Sequence, residues 1–507
     1  MPARLTITGA LAAWLGCAVL GSARMAVDQT AAPTVAPAPA GEELSEHYDV
    51  TVGGAAVPVY ACRVSAEPFN QVWPGYQRPL DQTETAGFAY WDMTGPVSVE
   101  VRSQRPIESA VVRPRASGIV PQVEGHRIWF ELDRPRQLVV EVNGPHHALH
   151  LFASPAEQDA PAPDAAGVRY FAPGVHRPGR IRLESNQTVY VAAGAVVYGS
   201  IQADGAENIA VRGRGIIDVS PFPRGEGGGA VRLTDCRNIV IEGVVMRDPD
   251  VWCCSLFGCR NALIEGVKLV GLWRYNADGI DVCNSQDVTL RHCFVRSFDD
   301  AVVLKGLKFG QNSVDDRPVR NVRVSGCTLW CDWGRALEIG AETCAPEIAE
   351  VVFADCDIVR TTHIAMDIQH GDRALVHSVR FEDIRVEMEE PNPYPQFQKG
   401  PDDRYAPPAA PNYLPALFVI VIRGNNYSKD DQRGDVRDVL LRNISVMAPR
   451  MPASSLQGFD AEHTVDGVTF QGLWLNGKPV SSAAEAQLSV GAHVSNVHFE
   501  APPETEG

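Results

Sequence analysis

The sequence predicts an all-β chain in two unequal parts, a small antiparallel β-sandwich followed by a right-handed parallel β-helix. Three observations predict it. Apolar and polar residues alternate in runs of about five to seven residues, the period of a strand. No long stretch of the 507 residues carries a helical period. From about residue 168 onward a short unit recurs every ~22–34 residues, the mark of a solenoid whose units are too short to hold a helix.

The elements follow in order. Arg4, a small-residue apolar run from Ile7 to Leu20, and Gly21-Ser22-Ala23 have the order of an export signal over residues 1–23, so a secreted or periplasmic protein is expected. The run is short for a membrane span and no other stretch approaches ~20 apolar residues, so no span is expected. Residues 24–44 are rich in Ala, Pro and Thr and read as a flexible linker. Residues 45–155 hold runs such as VSVEVRS, RIWFELD and RQLVVEVNG with Gly and Pro between them, the pattern of a sandwich. Ala156 to Ala166 is a second Ala/Pro-rich connector.

The coil is expected over residues 168–500, in about ten turns. Its repeating unit begins with a polar or turn residue and carries alternating apolar positions, a Gly/Asn/Asp kink and a second short strand. The copies start at Asn186, Asn208, Asn238, Asn261, Asp287, Asn321, Glu350, Ser378, Asp438, Gly467 and Asn496. The stretch around Tyr170–Val197 supplies the cap and first turn. The widest gap, Ser378 to Asp438, holds the Pro-rich PNPYPQFQKGPDDRYAPPAAPNY and then a strand, LFVIVIRG. A long irregular insertion on a rigid solenoid reads as a functional loop or a disordered excursion.

The formal net charge of −17 excludes nucleic acid as a partner and disfavours a polyanionic substrate unless cations are concentrated locally. Of the twelve cysteines, Cys17 lies in the signal, Cys62 in the sandwich, and ten fall between Cys236 and Cys356. Their spacing forms no paired CxxC units, so neither a metal nor another cofactor is expected. They read as small buried hydrophobes, with a disulfide among Cys253, Cys254 and Cys259 as the alternative.

One stretch carries chemistry: NADGIDVCNSQDVTLRHCFVRSFDDAVVLKG, Asn276 to Gly306. It places Asp278 after a turn and Asp299-Asp300 one structural repeat later, with Asp278 and Asp299 expected side by side. Converging carboxylates supply a protonated acid for a leaving oxygen and an ionised base for water. Nearby aromatics able to stack on sugar rings are Trp252, Trp273, Tyr275, Phe298, Trp330 and Trp333, with Trp273 and Tyr275 strongest and Phe298 better read as core. His146, His147 and His150 lie in the sandwich and are given no catalytic role.

Asn276-Ala277-Asp278 followed by Asp299-Asp300 in a parallel β-helix resembles the polygalacturonase family, glycoside hydrolase family 28, whose pattern is NTD, DD, GHG and RIK on a pectin-lyase-like solenoid. The resemblance implies inverting hydrolysis, with Asp299 as general acid and Asp278 and Asp300 holding the water. Substrate contacts are expected at Asn276, Arg335, Lys305, Trp273, Tyr275, Glu338, Glu342 and Asp367. The sequence departs from that pattern twice. Gly334-Arg335-Ala336 puts arginine where the family has histidine. The cationic RIK turn falls at Ala365–Gln369, where Asp367 and Gln369 stand instead. Glu338, Glu342 and Asp372 add negative charge, so a polysaccharide or oligosaccharide substrate that is at least partly neutral is expected. The sandwich ahead of a β-helix is similar to the dextranase and isopullulanase family, which acts on neutral α-glucans. A polysaccharide lyase and a non-catalytic carbohydrate-binding β-helix are the alternatives.

Overall fold

The computed structural model describes residues 32–70, 78–308, 314–407 and 412–500. The expected signal, 1–23, and the first part of the expected linker lie outside them. Among the described residues there is no α-helix; strands dominate, with two short 3₁₀ turns.

Between Tyr48 and Pro155 two five-stranded sheets pack face to face around Val50, Val52, Trp91, Val99, Ile128, Leu138 and Leu151. The alternation in Val97–Ser103, buried at every second residue, shows why this segment is a half-buried strand. One sheet is antiparallel throughout. The other departs from the expected topology: Thr83–Met93 runs parallel to Leu149–Pro155 at its centre.

From Val168 to Glu500 the chain winds into a coil of 31 strands, each paired with its equivalent one turn on. The coil has three faces. The first includes Glu207–Gly213, Arg237–Glu242, Arg260–Glu265, Gln286–Arg291 and Val319–Ser325. Its strands contain the repeat residues, and Asn208, Asn238, Asn261, Asp287 and Asn321 all sit at φ 53–57°, in the left-handed region. Asn and Asp tolerate that conformation through local hydrogen bonds, which explains why the repeat begins with them. Exposed amides then stack: Asn208 donates to Asn186 (2.9 Å), Asn238 to Asn208 (2.9 Å) and Asn261 to Asn238 (2.8 Å).

The second face, which includes Val245–Arg247, Lys268–Val270, Phe294–Ser297, Thr328–Cys331 and Asp357–Thr361, lies against the sandwich. Val245, Val270, Phe294, Trp330 and Val359 pack on Tyr60, Val64, Phe88, Tyr90, Val139 and Phe152. A buried ion network crosses the same seam, joining Arg113 to Glu141, Glu387 and Glu389, and Arg360 to Glu141 and Glu389.

The third face includes Cys254–Phe257, Ile280–Cys283, Val302–Gly306, Arg335–Thr343, Ile364–His370 and Ala416–Ile422. The eleven described cysteines are all buried free thiols, most of them in the coil's apolar core, so no disulfide forms among them. Packing, not cross-linking, explains their number.

Two segments differ from the expectation of loose connectors. Residues 32–44 run against the body: Thr34 bridges Asp92, Val35 joins the sandwich core, and Glu42 accepts from Tyr198 (2.9 Å) and Arg247 (2.5 Å). In the Pro-rich insertion Gln396–Phe397 pairs with Phe69–Asn70, and Tyr405 N donates to Gln82 (3.1 Å). The insertion therefore ties coil to sandwich.

Candidate active site

Asp278 ends the turn that feeds Ile280–Cys283, and Asp299-Asp300 ends the turn that feeds Val302–Gly306, so both rise at one edge of the third face. Ile280 pairs with Val302, and Gly279 N donates to the Asp300 carbonyl at 2.8 Å. The neighbour of Asp278 in register is therefore Asp300, not Asp299. Asp299 is displaced by a bend, closed by Ser297 Oγ donating to the Asp299 carbonyl at 2.6 Å. Gly334 lets the next turn come close, since a Cβ there would lie 2.6 Å from the Asp300 nitrogen.

Lys305 is the hub. Its ammonium lies 3.7 Å from Asp278, 3.7 Å from Asp300 and 3.6 Å from Glu342, with the Trp252 ring centroid 4.9 Å away. Arg335 closes the other side. Its backbone N–H donates to Asp300 Oδ1 (3.1 Å), its Nη1 lies 3.9 Å from the same oxygen, and its Nε lies 3.3 Å from Asp367. Glu338 and Asp367 are outward-facing partners in register on adjacent turns, and both are buried.

This environment pushes the carboxyls apart. Burial would raise Asp300, but Lys305 and Arg335, with the hydrogen bond from the Arg335 backbone, hold it below the ordinary range. Asp299 is raised to about 7 by burial and by the Asp300 charge. Burial and the neighbouring Asp281 and Asp299 hold Asp278 well above the ordinary value. Glu338 is raised by burial and by the Asp300 charge. Asp367 rises to about 6, through burial against the opposing pull of Arg335. Asp299 is also the only one of the three motif aspartates that is not fully buried. The arrangement thus holds one ionised carboxylate, Asp300, beside an accessible acid, Asp299, that keeps its proton near neutral pH.

Other expected residues fall in differing places. Asn276 accepts from Arg224 (2.8 Å), whose guanidinium also lies over the Tyr275 ring. Trp273 donates to Asp248 (3.0 Å) and lies beside Arg63 and Arg274. Trp330 and Trp333 are buried, Trp330 against the sandwich and Trp333 in the coil core, and so do not offer sugar platforms. Phe298 is core. Asp372 accepts from the backbone of Thr343 (2.9 Å), Lys429 (2.6 Å) and Asp430 (3.2 Å), and so fixes a loop. Among the described residues, the group whose ligand atoms lie close enough to share an ion is Cys344, Asp372 and Asp430, all within 4.8 Å.

The sequence reading missed Asp281, fully buried with neither carboxyl oxygen hydrogen-bonded. The signal was present: Ile280 and Val282 face the core, so period-2 alternation turns Asp281 outward beside Asp278. It also missed Arg224, Tyr427, which hydrogen-bonds Tyr275, and Arg78, which lies 3.4 Å over the Phe298 ring. These come from distant loops and leave no local pattern.

The sequence model of glycosyl hydrolases family 28 matches residues 177–395, the part of the coil that contains every residue of this constellation except Tyr427 and Arg78. The fold is family 28-like. The family match supports a glycosidase of the polygalacturonase type. Dex49A from Penicillium minioluteum shares the fold across 92% of this chain and 96% of its own, at a TM-score of 0.64 and 14% identity. That span takes in sandwich and coil together. Looser likenesses are a family 28 exopolygalacturonase of Yersinia enterocolitica (TM-score 0.44, 13% identity, 81% of this chain and 97% of that one) and a hyperthermoactive exopolygalacturonase of Thermotoga maritima (TM-score 0.43, 16%, 62% and 85%). No curated protein matches the sequence.

Proposed function

We propose that the protein is an exported glycoside hydrolase that cleaves a largely neutral polysaccharide with inversion at the anomeric carbon. The observation that carries this reading is the contrast between Asp300, held ionised by Lys305 and Arg335, and Asp299, protonated to about pH 7 at the open edge of the cluster. Asp299 gives its proton to the leaving oxygen. Asp300 takes the proton of the attacking water. Asp278, protonated by burial, orients that water with Lys305. Lys305, Arg335, Glu338 and Glu342 shape the floor, and Asn276, Tyr275 and Trp273 its near wall.

The substrate reading rests on charge. Arg335, at the centre of the floor, is already engaged by Asp300 and Asp367. Lys305 is likewise engaged by Asp278, Asp300 and Glu342, so neither cation is free to clamp a uronate. The test is reducing-sugar release from dextran, pullulan and polygalacturonate side by side. Turnover of a neutral glucan well above that of polygalacturonate is expected, and equal turnover would show the charge argument wrong. Proton NMR of the first-formed product should show the opposite anomer to the substrate. Export predicts a mature N-terminus after Ala23, readable by N-terminal sequencing.

A further inference from the structure

Arg232 lies on the third face in the strand Val231–Thr234, with Val231 and Leu233 turned into the core and Arg232 exposed. It pairs in register with Ser255, and Ser255 with Asp281, so Arg232 stands in the column of Asp281 two turns away, at ~4.8 Å a turn. A line of contacts joins it to the aspartate cluster. The Lys305 ammonium lies 4.9 Å from the Trp252 ring centroid, Trp252 stacks on Phe257 at 6.2 Å, and the Arg232 guanidinium lies 4.6 Å over the Phe257 ring. Trp252 is half-buried and belongs to the turn between, since the next residue, Cys253, donates its N–H to the Asp278 carbonyl (2.9 Å). The stem of Arg232 is held as well. Asp250 accepts from the N–H groups of Gly227 (2.9 Å), Gly228 (3.2 Å) and Gly229 (2.9 Å), and a Cβ on Gly228 would lie 3.6 Å from Arg232 Cδ. Farther along the face, Lys305 and Arg335 are engaged by the acids, and Arg423 donates to Gln369 (3.4 Å). Among the described residues, no hydrogen bond or ion pair engages the Arg232 guanidinium.

We propose that Arg232 is a specificity-determining residue that takes an anionic group on the sugar chain, two sugar units from the aspartates, with a neutral unit stacked on Trp252 between them. This rests on the hydrolase reading and refines its substrate to a largely neutral chain that carries an acidic unit two places from the cleaved bond. A pyranose is about as long as one turn of the coil is high, ~4.8 Å. A chain laid along the axis therefore meets Trp252 one unit from the aspartates and Arg232 at the next. The guanidinium, backed by the Phe257 ring, offers its N–H fork to a carboxylate or a sulfate ester. Polygalacturonate, with an acid on every unit, would gain at Arg232 and lose at the aspartates, where the cations are already engaged.

The test measures binding to the full chain carrying Asp299→Asn, so that no probe is cleaved. The probes are pullulan and pullulan with a small fraction of its primary alcohols converted to carboxylates or to sulfate esters, compared by affinity electrophoresis and calorimetry. A charged form should bind about fivefold more tightly than pullulan, the upper range for an exposed ion pair, and the gain should shrink as salt is raised. The charged form with the larger gain names the anion. Arg232→Gln should remove the gain, and Arg232→Lys, which keeps the charge without the fork, should retain part of it. Trp252→Ala should weaken neutral and charged forms alike. Melting temperatures check that each variant folds as the parent does. The proposal is overturned if neither charged form binds more tightly than pullulan, if the gain survives Arg232→Gln, or if Trp252→Ala leaves pullulan binding intact. A gain that needs Arg232, without release of reducing ends by the chain that keeps Asp299, would count against the hydrolase reading alone.

Discussion

The first and third faces of the coil come from the same repeat and treat polar side chains in opposite ways. On the first face each asparagine amide passes its hydrogen bond to the next turn, and the row stands exposed to solvent. On the third, successive turns present Ser255, Asp281, Val303, Glu338 and Asp367 at one outward position, with no such hand-over. Asp281 has no hydrogen-bond partner among its neighbours. Repetition satisfies itself, because identical side chains 4.8 Å apart can share donors and acceptors. Chemistry needs the repeat broken, and the break leaves buried acids whose protons are held by their surroundings.

The comparison breaks most sharply at the aspartates. Asp299→Asn, Asp300→Asn and Asp278→Asn should each lower kcat by about 10²–10⁴-fold while the fold stays intact, as steady-state kinetics and circular dichroism would show. A substrate with a good leaving group should partly rescue Asp299→Asn and neither of the others. Full activity of Asp299→Asn on its natural polymer would remove it as the acid.

Next in size is the pH profile. Asp299 must keep its proton and Asp300 must have lost its own. Activity should therefore fall as pH rises through about 7, where Asp299 ionises. It should also fall at acid pH, where Asp300 gains a proton, a limb displaced downward because Asp300 lies below the ordinary range. Lys305 pulls both groups down, so Lys305→Gln should move both limbs of kcat against pH upward. Limbs that stay in place would show that Lys305 does not set these charges.

A smaller effect concerns stability. Burial, against the pull of Lys305 and with the charges of Asp300, Glu342 and Asp299, holds Asp281 well above its unfolded value of about 3.9. A raised folded value means that the carboxyl does not destabilise the fold at low pH and does so increasingly as pH climbs above ~4. Asp281→Asn should therefore melt higher than the parent protein at pH 8, with the gap closing toward pH 4. The smallest effect belongs to the first face: Asn238→Ala should cost about 1 kcal/mol in urea unfolding and leave kcat unchanged. A loss of activity there would mean that the two faces are coupled.

The same contrast explains what could be read in advance. The coil was legible because Asn208, Asn238 and Asn261 recur at a backbone position that few other residues tolerate. Asp278 and the Asp299-Asp300 pair were legible because they flank one strand. Their pairing was not: the bend at Ser297–Asp299 hands the register to Asp300, and only the ladder from Ile280 to Val302 reveals it. Trp330 was misjudged because the sandwich covers it: it packs in one cluster with Phe152, about 180 residues away in sequence. Arg224, Tyr427 and Arg78 reach the site from separate loops, a closeness that no spacing encodes. Residues 32–44 have the composition of a linker, yet the buried Arg247 that Glu42 meets lies on another element altogether.

The sandwich lies along the coil as a splint. In a solenoid each turn touches only the next, so a chain of turns can bend, twist or fray one at a time. Here Ile216, Val245, Val270, Phe294, Trp330 and Val359, six turns in succession, are bolted to one rigid plate. A local opening between the turn of Asp278 and the turn of Asp300 must drag that plate or shear against it. The spacing of the acid and its partner carboxylates is thereby fixed by a part of the chain that contributes none of them, much as a keel holds a hull true.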